Sequence, residues 1–455
     1  MSTPNLPHKF TRRDFLKIGG GLLVAAAGAK LAPMVGRGLL QPIEIASAQA
    51  DANLVFAGTD GWIWLPPTPA IPPYFPDNLA PSPFNTYMFG FRNVTGMTAT
   101  QIAAQKMKAQ HTAPMFWVEQ YEKTHQDFKV KLTNLGLQMR PDLTDAHTLH
   151  WHGFRDAIPY FDGEPSGSVA VPMNKDFTYV YRPHEPGTYM FHCHVEDVEH
   201  VHMGMAGLVF VRPLQDGNTA LYPSGKYAYN DGDGSTGFDR EFAMMLTEVW
   251  AEAHWADAHI QLPEWSDYHA DFALLNGRVY PDTLAPNGLG PDIDTNPNAV
   301  ALPPHPYTGD LLAPPGRPDL QYQPISSLVQ CKAGERVLLR FANLGFLGAS
   351  MTLDGIPMTV VGEDATFKRG RDTTTSTSFV TNSLSIYPGN SVDAIFTAPA
   401  HSTGVATDPP DIYLLYNRDA RVANNLAPGG FGGQMTEVRV FPAGALLPAQ
   451  ALPNT

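Results

Sequence analysis

Gly187-Thr-Tyr-Met-Phe-His192-Cys193-His194, running on through His200-Val-His202-Met203-Gly-Met205-Ala-Gly207, is the stretch on which the reading of this 455-residue chain turns. Its leading residues favour an extended strand, where successive side chains point to opposite faces. His192 and His194 then share one face and Cys193 takes the other. Forty residues upstream stands His147-Thr-Leu-His150-Trp-His152-Gly153. Here His150 and His152 share a face, and His147 has the opposite parity. Seven of the chain's sixteen histidines fall in these two windows, a density that scatter does not produce. The pattern sets two metal sites back to back on β-strands. Cys193 and His147 serve one, and His150, His152, His192 and His194 serve the other.

Working outward, the rest of the chain carries the same period. Thr86-Tyr-Met-Phe-Gly-Phe91, Asp127-Phe-Lys-Val-Lys-Leu-Thr-Asn134 and Phe177-Thr-Tyr-Val-Tyr-Arg182 alternate apolar and polar residues, as half-buried strands do. Further strand-like runs occupy residues 241–250, 336–342, 358–361 and 384–387. One helix is expected over Thr98–Gln110, which holds good helix formers and neither glycine nor proline. Forty glycines and 42 prolines give a turn-rich composition suited to β architecture, and 43% hydrophobic residues suffice for a large core. Residues 215–238, rich in Gly, Asp, Ser and Asn, read as a linker between two β-sandwiches of similar size, 49–214 and 239–445. The proline-rich stretch from Pro281 to Pro318 reads as a long ordered loop.

The first 48 residues read as an export signal: Arg12-Arg13 before a mildly apolar stretch, Ile18 to Ala29, then Ala46-Ser47-Ala48. The apolar run is too short and glycine-rich for a membrane anchor, so no membrane span is expected in the mature form. The signal implies twin-arginine export and a periplasmic or extracellular location. Its removal takes six basic and two acidic residues from totals of 30 and 44, leaving 24 and 42 and a net charge of −18. Such a surface disfavours nucleic acid and anionic membranes. Two cysteines, Cys193 and Cys331, make no disulfide framework. Cys331 follows an apolar run and reads as a small buried residue.

A cysteine, two imidazoles and a distant thioether form the trigonal site used for blue-copper electron transfer. His200 and Met205 lie in the loop after Cys193 and can complete it. Zinc accepts cysteine and histidine too, but does not require the methionine or two sites sharing one strand. Met203 rivals Met205 for the axial position, and His202 reads as structural.

His147-x-x-His-x-His-Gly followed by Gly-Thr-Tyr-x-x-His-Cys-His resembles the copper motifs of the multicopper oxidases, the family of laccases, bilirubin oxidases and cuprous oxidases. The stretches Pro114-Met-Phe-Trp-Val118 and Val130-Lys-Leu-Thr-Asn-Leu-Gly136 resemble the strands that lead into the first motif. Leu275-Asn-Gly-Arg-Val-Tyr-Pro281, Leu339-Arg-Phe-Ala-Asn-Leu-Gly345 and Ser385-Ile-Tyr-Pro-Gly-Asn390 resemble the copper-free middle domain of three-domain members. The resemblance implies an all-β fold of two cupredoxin-like Greek-key sandwiches, with copper in the first only. It implies His147, Cys193, His200 and Met205 as type 1 ligands. His150 takes the type 2 position, and His152, His192 and His194 take positions of the type 3 pair or the type 2 copper. His192, Cys193 and His194 are then the catalytic strand, carrying electrons from a reductant to an oxygen-reducing centre. The donor is a small molecule or a protein, and oxygen is the expected acceptor.

The pattern is incomplete. A full trinuclear cluster in the family draws on eight histidines from four His-x-His motifs, and the first block supplies two motifs. The second block should carry the others after Phe341-Ala-Asn-Leu-Gly345, where it reads Gly348-Ala-Ser-Met-Thr-Leu-Asp354. Three readings stand: a cluster completed by another subunit in a homo-oligomer, a smaller copper site as in nitrite reductases, or a type 1 electron carrier. Asp142, Asp145, Glu196 and Asp197 flank the motifs as candidate proton-relay carboxylates.

Overall fold

Alternating sequence becomes paired strands throughout the computed structural model, which describes residues 52–288, 311–370, 374–419 and 432–455. The export signal read at 1–48 lies outside the described residues, as does part of the Pro281–Pro318 stretch. Among the described residues no helix is long and apolar enough to cross a membrane.

The first block holds β1 (Leu54–Ile63), β2 (Thr86–Asn93), β3 (Phe116–Glu119), β4 (Phe128–Asn134), β5 (His150–His152), β6 (Asp176–Tyr181), β7 (Gly187–His192) and β8 (Ala206–Arg212). They form two four-stranded sheets, ordered β2-β1-β4-β6 and β3-β8-β7-β5. The chain passes between the sheets as it goes, and β1 lies parallel to β4 and β3 to β8. These are Greek-key connections. Aromatic rings fill the space between the sheets: Phe56, Phe116 and Phe191 meet with centroids 5.3 to 5.7 Å apart. Trp151 stacks on Tyr181 at 4.2 Å.

The second block comprises β9 (Arg240–Val249), β10 (Phe272–Leu275), β11 (Val329–Lys332), β12 (Arg336–Asn343), β13 (Ala349–Leu353) and β14 (Met358–Glu363). It continues with β15 (Thr366–Phe367), β16 (Phe379–Thr381), β17 (Ser383–Ile386), β18 (Ser391–Thr397), β19 (Asp411–Asn417) and β20 (Met435–Phe441). One sheet runs β10-β9-β12-β18-β14-β15 with β16 on β14, and the other runs β11-β20-β19-β13-β17. Cys331 is buried here as expected, and burial pushes its thiol up to about 12.

The helix expected over Thr98–Gln110 stops early. It runs only from Ala99 to Ala103, with Thr98 as its cap. Beyond it Met107 takes a positive φ, Ala109 N donates to Asp60 O at 3.2 Å, and Gln110 bridges Phe91. Tertiary pairing with β1 and β2 thus overrides helix propensity. Residues 215–238, read as a linker, fold back onto the second block: Tyr227, Tyr229 and Phe238 are buried, and Asp231 accepts hydrogen bonds from Gly234 and Thr236.

The two blocks meet sheet to sheet. Met190 and Leu208 of the first pack on Ala243, Met245, Ala342 and Leu344 of the second. Beside this apolar layer runs a buried polar one. Glu241 accepts from Arg212 at 3.0 Å and from Arg340 at 3.1 Å, Arg340 reaches Thr188 at 3.1 Å, and Thr188 and Tyr229 donate to Asp393 at 2.5 and 2.6 Å. Burial raises the Glu241 carboxyl, but the two guanidinium groups more than offset it and hold the group below the usual range. Glu241→Gln leaves two buried cations undercompensated and is expected to cost about 3–5 kcal/mol, read as a lower denaturant midpoint; an unchanged midpoint refutes the role.

Candidate metal centres

β7 ends at His192, and Cys193 follows with its amide donating to the Met205 carbonyl at 3.1 Å. The sulfur is fully buried in the first block's core. His147 is pinned by reciprocal backbone bonds with Val171 of 3.0 and 2.8 Å, which brings its Nδ1 within 4.0 Å of Cys193 Sγ. His200, on a short helix spanning Asp197–His202, sets its Nδ1 3.3 Å from the same sulfur. Met205 N donates to His200 O at 2.9 Å, closing the loop back into β8. A Cβ added to Gly58 of β1 would stand 2.8 Å from the His147 ring and 3.5 Å from the Met205 methyl. Both groups therefore converge over a residue with no side chain. The structure brings His147, Cys193 and His200 together, with Met205 beside them over Gly58. Met203 is buried in the same core, and its carbonyl accepts from Phe89 N at 3.0 Å.

Electrostatics suits a metal that binds a thiolate. Burial raises the Cys193 thiol, yet the His200 charge and hydrogen bonds from His147 and His200 hold it well below its ordinary value. Burial lowers His200, but the thiolate and the Asp145 carboxylate, 3.3 Å from Nε2, push it up to about 10. Among the described residues, buried His147 Nε2 has no hydrogen-bond partner. A soft thiolate, two imidazoles and a thioether fit copper in both oxidation states.

The opposite face of the same strands carries the other four histidines. β5 pairs antiparallel with β7 so that His150 stands opposite His192. His150 Nδ1 donates to the Asp162 carbonyl at 2.8 Å, and His192 Nδ1 to the Cys193 carbonyl at 2.8 Å. Backbone acceptors thus fix both rings with Nε2 left to bind. His192 Nε2 lies 3.4 Å from His152 Nδ1. The His194 ring sits 5.0 Å from His150 and 5.4 Å from His192. Donor atoms of His150, His152 and His192 all lie within 4.8 Å of one another, and His194 falls outside that set. Burial lowers His150 and His152 and takes His192 to about 3. Each shift favours the neutral imidazole, the form that ligates.

A cavity of about 280 Å³ opens onto His152, His192 and His194. Its other wall is Leu344, Gly345, Phe346, Pro388 and Gly389 of the second block. The loop after Asn343 therefore reaches the histidine face and brings no histidine of its own.

The flanking carboxylates separate. Asp142 pairs with Arg140 at 2.9 Å, Asp145 serves His200, and Glu196 sits on the Cys193 side. Asp197 alone of the four lines the cavity, 4.0 Å from His194 Nδ1. Buried His202 accepts from Trp250 N at 3.1 Å, consistent with its structural reading. Sequence reasoning missed Gly58, Asp162 and Phe346, and met Gly389 only inside the Ser385–Asn390 run, with no link to the histidine face. None carries a metal-site signal, because each matters only through what the fold lays against it.

Residues 127–216 match a family model described as Multicopper oxidase, and residues 265–417 match a second with the same description. The solved structure of the multicopper oxidase mgLAC superposes with a TM-score of 0.53 at 17% identity, covering 85% of each chain. That of the blue copper oxidase from Nitrosomonas europaea gives 0.51 at 17%, again over 85% of each. No curated protein matches. At this identity the likeness speaks for the fold, which is cupredoxin-like in both blocks.

Two variants probe the Cys193 set. Asp145→Asn is expected to weaken copper binding there about 10-fold or more by freeing the His200 ring, measured by competition with a chelator. Gly58→Ala should displace His147 and bleach or shift the thiolate-to-copper absorption; an unaltered spectrum would contradict the close approach.

Proposed function

The chain belongs to the multicopper oxidase family, whose members are copper oxidoreductases, and from that premise we propose that it is an exported enzyme taking electrons from an outside reductant at the Cys193 set and reducing dioxygen at the four-histidine face. A covalent connection carries this reading. Cys193 belongs to one donor set, and its chain neighbours His192 and His194 to the other face. An electron leaving the Cys193 sulfur reaches either imidazole along backbone and side-chain bonds, with no gap to cross.

Copper, when bound, supplies the one-electron redox chemistry that these side chains lack. His147, Cys193, His200 and Met205 hold the type 1 position, and His150, His152, His192 and His194 offer ligands for the type 2 and type 3 positions. Asp145 keeps His200 oriented toward the sulfur. Asp197 is the carboxylate placed to hold or return a proton at His194 Nδ1.

Local charge favours oxygen over nitrite. Asp162 and Glu164 act on His150, Asp364 on His152, and Asp197 stands by His194, while among the described residues no lysine or arginine lines the cavity. The side chains of that ring add no positive charge to the copper's own for an anion to use, and they do not oppose a neutral diatomic molecule. The reductant is a small molecule or a protein; the acidic chain, at −14 overall, suits a cationic donor. Twin-arginine export to the periplasm or beyond, and two cupredoxin-like domains at 49–214 and 239–445 with copper ligands in the first only, complete the proposal.

Oxygen uptake with an artificial donor tests it. Cys193→Ser should abolish both the blue colour and uptake. His152→Ala should keep the colour and lose uptake by more than the roughly 100-fold that loss of an outer-shell partner can cost. A wild-type protein that is blue but consumes no oxygen would be an electron carrier, and the oxidase reading would fall.

A further inference from the structure

Strand alternation gives the larger sheet of the second block two faces, and only one of them is spent on the main core. Val337 and Leu339 of β12, Ala394 and Phe396 of β18, and Met358 and Val360 of β14 pack inward. Their chain neighbours point the other way. On that outer face Arg336 stands in register beside Thr397, and Thr359 beside Ile395. The face is roofed rather than bare. An arm leaves β14 through β15, forms a hairpin in which Arg369 bridges Ser376, and returns as β16 to pair with β14 again. Gly370 N donates to Thr375 O at 2.8 Å and Thr377 N to Lys368 O at 3.0 Å, which holds the arm's two limbs together. Between the arm, the sheet and the turn at 231–236 lies a cavity of about 430 Å³.

The lining departs from the acidic balance of the chain. Its charged residues are Arg336, Arg369 and Asp233, a positive balance in a protein of −14 overall. Arg369 is matched: it donates to Asp233 Oδ2 at 2.5 Å and to Asp231 O at 2.8 Å. Arg336 is not. Its guanidinium donates to the carbonyls of Gly234 at 3.2 Å and Ser235 at 2.5 Å and, among the described residues, to no carboxylate. The Asp239 carboxylate accepts instead from Tyr222 OH at 2.7 Å and from the Arg336 amide at 2.8 Å. The turn that positions the guanidinium is itself tied down, since Asp231 accepts from the amides of Asp233, Gly234 and Thr236. A planar fork of donors, held by neutral carbonyls at a cavity wall, suits an incoming carboxylate.

Seven of the fifteen lining residues are serine or threonine. Each hydroxyl can both donate and accept, which favours a ligand carrying several hydroxyls over a purely apolar one. Val361, Val380 and Ile395 add an apolar strip for the C–H face of a ring. The volume falls in the range of small-molecule sites, and none of the lining residues belongs to either metal donor set. We propose that this cavity binds a polyhydroxylated carboxylate about the size of one sugar ring, a sugar acid. Its carboxylate lies on Arg336, and its hydroxyls meet Thr359, Thr397 and the Ser376–Ser378 pair, whose own hydroxyls are 2.7 Å apart. The site holds its ligand without making or breaking a covalent bond. It needs no metal and stands independently of the oxidoreductase reading.

Calorimetric titration of the copper-loaded protein with D-glucuronate, and with D-glucose as its uncharged counterpart, tests the site. One glucuronate is expected per chain, with glucose at least about tenfold weaker, the scale of a charge-assisted hydrogen bond. Arg336→Gln should abolish the preference for glucuronate and leave the copper absorption unchanged. Thr397→Val keeps the shape and the cation, so it should weaken both sugars and retain the preference. Equal affinity for the two sugars, or no binding of glucuronate at concentrations on the order of 10 mM, would overturn the proposal. Full glucuronate affinity in either variant would overturn it as well. Thermal melting accompanies each titration. If Arg336→Gln melts early, Thr397→Val and the comparison of the two sugars on the unaltered chain decide the question.

Discussion

Everything at the metal centres depends on the antiparallel pairing of β5 with β7, in which His150 faces His192 across the ladder. Side chains along a strand alternate, so this one register sends Trp151, Phe191 and Cys193 into the first block's core. It sends His150, His152, His192 and His194 to the other face. A slip of one residue would exchange the two sets. The aromatic core resists such a slip, since Trp151 and Phe191 are packed among Phe116, Phe128 and Tyr181. Packing of apolar rings therefore sets the chemistry of a polar site on the far side of the sheet.

The second block contributes shape rather than ligands. Its sheet packs against the histidine-bearing sheet through Met245, Ala342 and Leu344, and Arg212, Glu241 and Arg340 lock the junction in a buried ion cluster. Such a cluster is costly to desolvate and tolerates little displacement. With the junction fixed, the loops at 344–346 and 388–389 arrive at the cavity in one arrangement. A contact also runs from this block to the Cys193 side: Asp257, on the helix Ala251–Ala258, pairs with Arg140, which holds Asp142. Both metal faces thus lean on a block that has no ligands of its own among the described residues.

Residue type and parity were enough to group the ligands. A strand has a fixed period, so two short motifs told which side chains share a face before any coordinates. Cys331 was legible as buried for the same local reason. The helix expected at Thr98–Gln110 shows where local reasoning stops: propensity favoured it, but pairing with β1 and β2 ended it at Ala103. The residues at 215–238 looked like a connector by composition, and their turn residues are real. Yet Tyr229 and Phe238 anchor them in the second block, packed with Leu338, Val361 and Ile395.

What the sequence by itself determined is therefore the all-β class and which of the cysteine and histidine side chains share a face, because each follows from side-chain alternation over a few residues. Only the tertiary structure decided which carboxylate serves which side, with Asp145 on His200 and Asp197 by His194. It alone placed Gly58 beneath His147 and Met205, and Phe346 and Gly389 against the histidine face. These contacts join residues tens to hundreds of positions apart. They exist because two sheets pack face to face, and no local period encodes which loop a folded neighbour will bring.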